Sequence, residues 1–503
     1  MTGAVEEQEN KEARQPQPEP LSLCPMCNLH TGRRIRNKVY CMNCGYRVRF
    51  KVRGLWSRRH FALTGGMHSN TDELFLSRLN HHPRLRERMD TLLQVVENVA
   101  GDWTKADAAE QAVLEEIRKL GHDALQGWAE RAVQKATETV RHEQPALQGN
   151  GKKKVWWHTL FGEIAVLEPV LRGPGPQVRP FLASAAVSPR SCSRPLQRAM
   201  TDFGADHAFG QVPKKLQEHY GVRIGGSTVR KITERHGAQM RAQQDREAVP
   251  VLTPGCPQQI GELDGSMVPI VTSGEEAGDK RKHKTLQWQE ARLGMVHAHG
   301  SVTPKFAATF GRPVEASGQA LHSCAVAAGF GTNTQVHGLG DGAPWIAEQF
   351  ATTFGVQARY LVDFYHVCEY LVAAAPTCAP AAPHAWLETQ KQRLQKNEVA
   401  AVLTQLGEYV EAEAVANDHA PVRACLRYLH NRPHHLDYQG AIEKGLPIGS
   451  GEVESAHRYV IQHRLKLPGA WWKAENVEPM LALRVVRANE EWDTYWGQLA
   501  AAA

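Results

Sequence analysis

No stretch of this sequence approaches the roughly 20 consecutive apolar residues that a membrane-spanning helix needs. The first twenty residues are polar and rich in Glu and Pro, without the apolar segment of a secretory leader. Both absences lead to the expectation of a cytoplasmic protein with no membrane partner, whose ten cysteines must be explained without disulfides. Internal repeats are also lacking, which excludes a solenoid or propeller. Low complexity is confined to residues 1–20, expected to be a disordered tail, and to Ala501-Ala502-Ala503. The most informative lack is of negative charge. Between Asn28 and Thr71 there is no Asp or Glu, while the same segment carries Arg33, Arg34, Arg36, Lys38, Arg47, Arg49, Lys51, Arg53, Arg58 and Arg59. A one-sign block of this kind suits a polyanionic partner, and those from Arg33 to Arg53 are the candidate nucleic-acid contacts.

What is present inside that block sharpens the reading. Cys24-Pro25-Met26-Cys27 and Cys41-Met42-Asn43-Cys44 form two CxxC turns. Each can present two thiolates to one ion, and together they complete a tetrahedral structural zinc site. So few residues have no other source of a core, so zinc would supply the folding energy of residues 21–60.

A chain of 503 residues is too long for one core. Residues 61–150 follow a helical period, with Pro83 separating a first short helix from the rest. Residues 151–245 begin with short strands around Val155-Trp156-Trp157 and Ile164-Ala165-Val166. They continue as a helix, a turn at Gly221, and a basic helix capped by Ser227 that carries Arg230, Lys231 and Arg235. That sequence is a helix-turn-helix pattern and marks those three cations as candidate DNA contacts.

Residues 255–370 turn to α/β texture. Ile260–Leu263 and Met267–Val271 read as one strand with a polar centre, followed by strands near 291–296, 306–310, 334–339 and 359–362. Hairpin strands first, then strand–helix–strand, predict a mixed sheet with helices packed on it. Residues 371–445 are Ala-rich and helical. In residues 446–503, Ser450 caps a late helix running to about Leu465.

Three acids stand at telling places in this plan. Asp264 lies at the polar centre of the first strand. Asp341 ends a strand in Gly340-Asp341-Gly342-Ala343-Pro344. Glu454 lies in the first turns of the late helix, in Ser450-Gly451-Glu452-Val453-Glu454-Ser455. Carboxylates from strands and an adjacent helix can converge, and hard oxygen donors of this type hold Mg²⁺ or Mn²⁺. Glu452 competes with Glu454, but two residues apart on a helix point about 200° apart, so only one faces the site. Arg458, one turn beyond Glu454, favours Glu454 because it suits a nearby phosphate.

In this order, Asp264, Asp341 and Glu454 resemble the DDE triad of bacterial insertion-sequence transposases. The Gly-Asp-Gly-Ala-Pro-Trp-Ile run at Asp341 is similar to the second-Asp motif of the Kra-type insertion-sequence family. Asp363-Phe364-Tyr365-His366 resembles the D-x-x-H motif of the related Mutator and hAT group. Gly449 to Ser455, continued through Arg464-Leu465-Lys466, is similar to the family's last motif. The resemblance spans roughly Val155 to Trp496. It implies an RNase-H-like core interrupted by an all-α insertion, catalysing metal-dependent strand cleavage and strand transfer on double-stranded DNA, at element ends and target. Asp264, Asp341 and Glu454 would be catalytic metal ligands, Asp363, His366 and Arg458 accessory, and Arg464 and Lys466 DNA contacts. A homodimer or higher assembly on DNA, hence nucleoid association, is implied as well. A DNA-binding regulator without catalysis and a nuclease without joining activity stay open as alternatives.

Overall fold

The computed structural model describes residues 32–35, 38–41, 47–49, 70–98, 102–184, 191–246, 253–273 and 284–501. The chain divides into two compact units, Met1–Ser77 and Arg78–Ala503. In the first, β1 (Gly32–Ile35), β2 (Lys38–Cys41) and β3 (Arg47–Arg49) form a three-stranded antiparallel sheet. Arg33, Tyr40 and Arg47 pair in one cross-strand row, and Ile35, Lys38 and Arg49 in the next. Helix α1 (Asn70–Asn80) follows.

The second unit opens on α2 (Pro83–Asn98) and the long α3 (Ala106–Glu143), with Pro83 starting α2 as its missing N–H allows. One face of α3 packs on a hairpin of β4 (Gln148–Thr159) and β5 (Gly162–Arg172), closed by α4 (Pro180–Ser184). Alternation decides the faces. Val155, Trp157, Ile164 and Val166 are buried, whereas Lys154, Trp156 and Leu167 are exposed. β4 is longer than expected because its Lys- and Gly-rich start carries no apolar alternation, yet its pairing with β5 continues there past an irregularity between Gly149 and Lys152.

Next come α5 (Arg194–Asp206), α6 (Val212–Tyr220) and α7 (Gly226–Gln244). Gly221, at φ 69°, ends α6 in the left-handed conformation. Ser227 is not the cap of α7: the helix starts at Gly226 with Gly225 as its N-cap and no side-chain cap. Val229, Ile232, Thr233, His236 and Met240 bury one face of α7. Gly237 brings the helix so close to a later one that an added Cβ would stand 2.3 Å from the Pro479 carbonyl oxygen.

The main sheet holds five strands in the order β10-β9-β6-β7-β8. They are β6 (Gln258–Ser273), β7 (Lys284–Ala298), β8 (Lys305–Phe310), β9 (Gln335–Gly340) and β10 (Ala358–Val362). β6, β7 and β8 run as an antiparallel meander, and β9 and β10 are parallel to β6. The strand expected around Asp264 is β6, 16 residues long. Helices α8 (Glu315–Ala327) and α9 (Pro344–Phe354) cover one face through Leu263, Val336, Ile346 and Phe350.

The other face is covered twice. Toward β10 lie α10 (Phe364–Cys378), α11 (Pro383–Gln395), α12 (Val399–Gly407), α13 (Pro421–His430) and α14 (Tyr438–Glu443), which share one core with Ile260, Leu339 and Val362. The expected boundary at 371 falls inside α10, because Asp363 caps a helix that begins at Phe364 and runs on past it. Toward β8 lie α15 (Gly451–His457), a π-helical turn (Arg458–Gln462), α16 (His463–Leu465) and α17 (Ala474–Ala488), while α18 (Trp492–Ala501) packs on α5, α7 and α17. Val453, Val460, Leu465, Val477 and Leu481 pack there on Val268, Ile270 and Leu293. Among the described residues, no helix is long and apolar enough to cross a membrane.

Candidate active site

Register brings the acids to one level. Glu262 on β6 pairs with Leu339 on β9, and Gly340 on β9 with Val362 on β10. Asp264 lies two residues beyond Glu262 within β6 and so shares its face, Asp341 is the residue that follows β9, and Asp363 is the residue that follows β10, its amide donating to the Gly340 carbonyl at 2.8 Å.

Each acid is held differently. Asp264 is partly exposed, at 24% of its side chain. Its Oδ1 accepts the Gly265 amide at 2.7 Å, and its Oδ2 faces His457 Nε2 at 3.0 Å. Asp341 stands in the turn from β9 to α9 and accepts the Ala343 amide at 2.8 Å. That turn needs Gly342, whose φ is 83° and whose missing Cβ leaves room for the Tyr428 hydroxyl and Arg432. Tyr428 Oη donates to the Asp341 carbonyl at 2.6 Å and Arg432 Nε to the Gly342 carbonyl at 2.7 Å, so α13 braces the loop that carries Asp341.

Asp363 is 2% exposed. Its Oδ1 accepts the amides of Tyr365 and His366 at 2.6 and 2.9 Å. Its Oδ2 accepts the Ser450 amide and hydroxyl at 2.6 and 2.7 Å. With both oxygens engaged, Asp363 joins α10 to the start of α15. Ser450 accordingly spends its hydroxyl on Asp363 and makes no cap bond to α15.

The two late glutamates diverge. Glu452 Oε2 lies 3.4 Å from His297 Nε2 and is exposed. Glu454 is raised above the ordinary carboxyl range by partial burial, then by the charges of Asp363 and Asp264, with His366 acting in the opposite sense. Glu454 is therefore the residue electrostatically joined to Asp264. His366 itself packs edge-on to Tyr370 and Tyr428, with Nδ1 3.3 Å from Glu369. Among the described residues, no three His, Cys, Asp or Glu side chains stand as a ready metal cluster.

Two partners escaped the sequence. Glu262 is 1% exposed, its carboxyl pushed up to about 8 by burial, and its Oε2 accepts the Val453 amide at 2.7 Å. His457 is 3% exposed. Two-residue spacing from Asp264 was the available signal for Glu262, and three-residue spacing from Glu454 for His457.

The expected DNA contacts fall into several groups. Arg230, Lys231 and Arg235 are exposed on α7. Arg458 is exposed at the start of the π-helical turn. Lys466 donates from Nζ to Ser266 Oγ at 2.8 Å, two positions beyond Asp264. Arg464 differs from expectation. It is 1% exposed, donates to the Gly204 carbonyl at 2.9 Å, and stacks on Phe209 and Trp472, so it is a packing residue. Arg33 and Arg34 lie on β1, Lys38 on β2, and Arg47 and Arg49 on β3. Cys41 ends β2, while Cys24, Cys27, Cys44, Arg36, Lys51 and Arg53 lie outside the described residues. Unexpected cations occur on β4. Lys152, Lys153 and Lys154 are exposed, and Lys154 Nζ lies 3.9 Å over the ring of exposed Trp156.

These residues define a mixed α/β protein with one acid inside β6 and two just beyond the ends of β9 and β10. Residues 332–496 match the model of an uncharacterised protein family, UPF0236. Members of that family are often found in insertion-sequence elements. The match includes Asp341, Asp363 and Glu454 and stops short of Asp264. No curated protein matches the chain.

Proposed function

We propose that this chain is a DNA transposase of the DDE type, acting at insertion-sequence ends from an RNase-H-like core. The observation that carries this reading is the placement of Asp264 on β6 and of Asp341 immediately after the neighbouring parallel strand β9, with Glu454 on the helix whose His457 faces Asp264 at 3.0 Å. The antiparallel meander continued by two parallel strands supports the reading of the core. The occurrence of the matched family in insertion-sequence elements supports the biological setting.

The donor set fits a divalent cation. Asp264, Asp341 and Glu454 supply hard oxygens; Glu454 is raised first by burial and then by the charges of Asp363 and Asp264, and a cation would relieve that repulsion. Mg²⁺ or Mn²⁺ bound there would activate water and offset charge on a phosphodiester. The chain's own residues do the rest. Gly342, Tyr428 and Arg432 fix the loop bearing Asp341. Asp363 ties α15 to the strand ends, which sets where Glu454 stands. Lys466, held by Ser266, and exposed Arg458 offer positive charge to a DNA phosphate beside the acids. Hydrolysis at an element end frees a 3′ hydroxyl. Its attack on a target phosphodiester then exchanges one phosphate ester for another. Duplex binding would draw on exposed Arg230, Lys231 and Arg235, the basic first unit, its zinc-ribbon reading resting on the four cysteines, and the β4 lysines.

The test uses purified protein, a labelled duplex carrying the element end, and Mg²⁺ or Mn²⁺. Wild type is expected to nick at the end. Asp341→Asn, which keeps shape and removes charge, is expected to bind DNA equally and not cut. If wild type binds and never cuts under either metal, the catalytic reading fails and a DNA-binding protein is the better account.

A further inference from the structure

His457 lies deep against the acids. It is 3% exposed, and its Nε2 stands 3.0 Å from Asp264 Oδ2. Despite that approach, neither ring nitrogen has a hydrogen-bond partner among the described residues. The pair is close without donor alignment. Native proteins rarely leave a buried polar group in this way without a reason.

The spacing supplies one. Two donor atoms at right angles on one ion, each about 2.1 Å from it, lie about 3 Å apart. Asp264 Oδ1 is committed to the Gly265 amide, so Oδ2 is the oxygen that faces the imidazole. Glu454 precedes His457 by three positions on α15 and so lies one turn away on the same side of the helix. Its carboxyl feels the charge of Asp264.

We propose that His457 Nε2 and Asp264 Oδ2 are joint ligands of one divalent metal ion, with Glu454 contributing from the same helix. This deepens the proposed function and rests on it. It makes the site a mixed nitrogen–oxygen one. Imidazole suits Zn²⁺, Fe²⁺ and Ni²⁺, whereas carboxylate and water oxygens suit Mg²⁺ and Mn²⁺, so the nitrogen ligand shifts the site's preference from Mg²⁺ toward first-row transition ions, for which Mn²⁺ is the paramagnetic probe. Glu452, turned toward His297, has no part in it.

The experiment is a Mn²⁺ titration of the full-length protein followed by electron paramagnetic resonance, with pulsed detection of ¹⁴N coupling to the bound ion. Wild type, Asp264→Asn, His457→Gln and His366→Gln are compared. Bound Mn²⁺ is expected to show nitrogen coupling in wild type and in His366→Gln, and to lose it in His457→Gln. Affinity in His457→Gln is expected to fall by at least the roughly 10- to 100-fold that loss of even an outer-shell partner costs. Mn²⁺ that depends on Asp264 but shows no nitrogen coupling in wild type overturns the inference and leaves an all-oxygen site standing. So does coupling that persists in His457→Gln. The wild-type spectrum decides even if His457→Gln fails to fold. Mn²⁺ binding that is absent, or indifferent to Asp264→Asn, removes the metal-dependent reading itself and this inference with it.

Discussion

His236 shows what burial does to a single titrating side chain here. It sits on the inner face of α7, with Nε2 2.9 Å from Gln197 Oε1 and Nδ1 2.6 Å from Tyr495 Oη. Burial lowers its imidazole to about 4, with Arg235 adding to the effect. The folded state thus binds fewer protons than the unfolded state between that value and the ordinary one near 6.5. Its stability contribution is present above pH 6.5 and is lost as pH falls toward 4, by up to roughly 3 kcal/mol. His236→Gln is expected to flatten the pH dependence of the denaturation midpoint over that interval. An unchanged slope would mean that His236 is not held neutral by the fold. At this scale the sequence was partly legible. Asp264, Asp341 and Glu454 stood out because acids at strand ends and helix starts break an apolar pattern. Glu262 and His457 did not, since a polar residue inside such a pattern looks the same whether it meets solvent or a partner. Arg464 misled for the converse reason: its guanidinium is covered by Trp472, eight residues on, and by Phe209, which comes from a distant position in the chain.

Among the elements, α7 has two opposed surfaces. Its inner face docks on α5 and α17, and its outer face carries Arg230, Lys231 and Arg235. Replacing those three with Ala is expected to weaken binding to the element end and to reduce the salt dependence of binding, by a slope of about 0.9 for each phosphate no longer neutralised. The stability of the triple variant should change little, since exposed positions rarely matter by more than about 0.5 kcal/mol each. Gly237→Ala is expected to do the opposite. Ala gains about 1 kcal/mol of helix propensity over Gly. Its Cβ, however, meets the Pro479 backbone at 2.3 Å, and neither helix can yield without repacking. A net loss of about 1–2 kcal/mol follows, read from urea denaturation. Apolar periodicity revealed the strands of the main sheet and the helical block after β10, and gave no sign of α8, α17 or α18. It missed the reach of β4, where hydrogen bonding outlasts the apolar pattern. It also misplaced the start of α7, where Ser227 looked like a cap and Gly225 serves as one.

Across the whole molecule, the second unit contains the sheet, the candidate acids and α7, while the first contains the basic strands. Cutting the chain before Arg78 is therefore expected to leave a folded fragment that still binds Mn²⁺. Its DNA affinity should fall, and the salt dependence of its binding with it, because the cations of residues 33–53 are removed. A fragment that fails to fold, or that binds DNA as tightly as the full chain, would contradict this division of labour. The domain plan was legible in texture, from basic block to helices to α/β. The boundary at 371 was not, because helices α10 to α14 read as a separate block but share their core with Ile260, Leu339 and Val362. Chain order adds a matter of timing. Synthesis delivers the basic strands, then α7, then Asp264 and Asp341, and only after all of α10 to α14 does it deliver α15 with Glu454 and His457. On the proposed reading, a nascent chain can hold DNA while still on the ribosome but is unable to cut it. On that reading translation to the last helices acts as a safety catch, because a chain ended after α14 lacks Glu454, His457 and the α17 surface on which α7 docks.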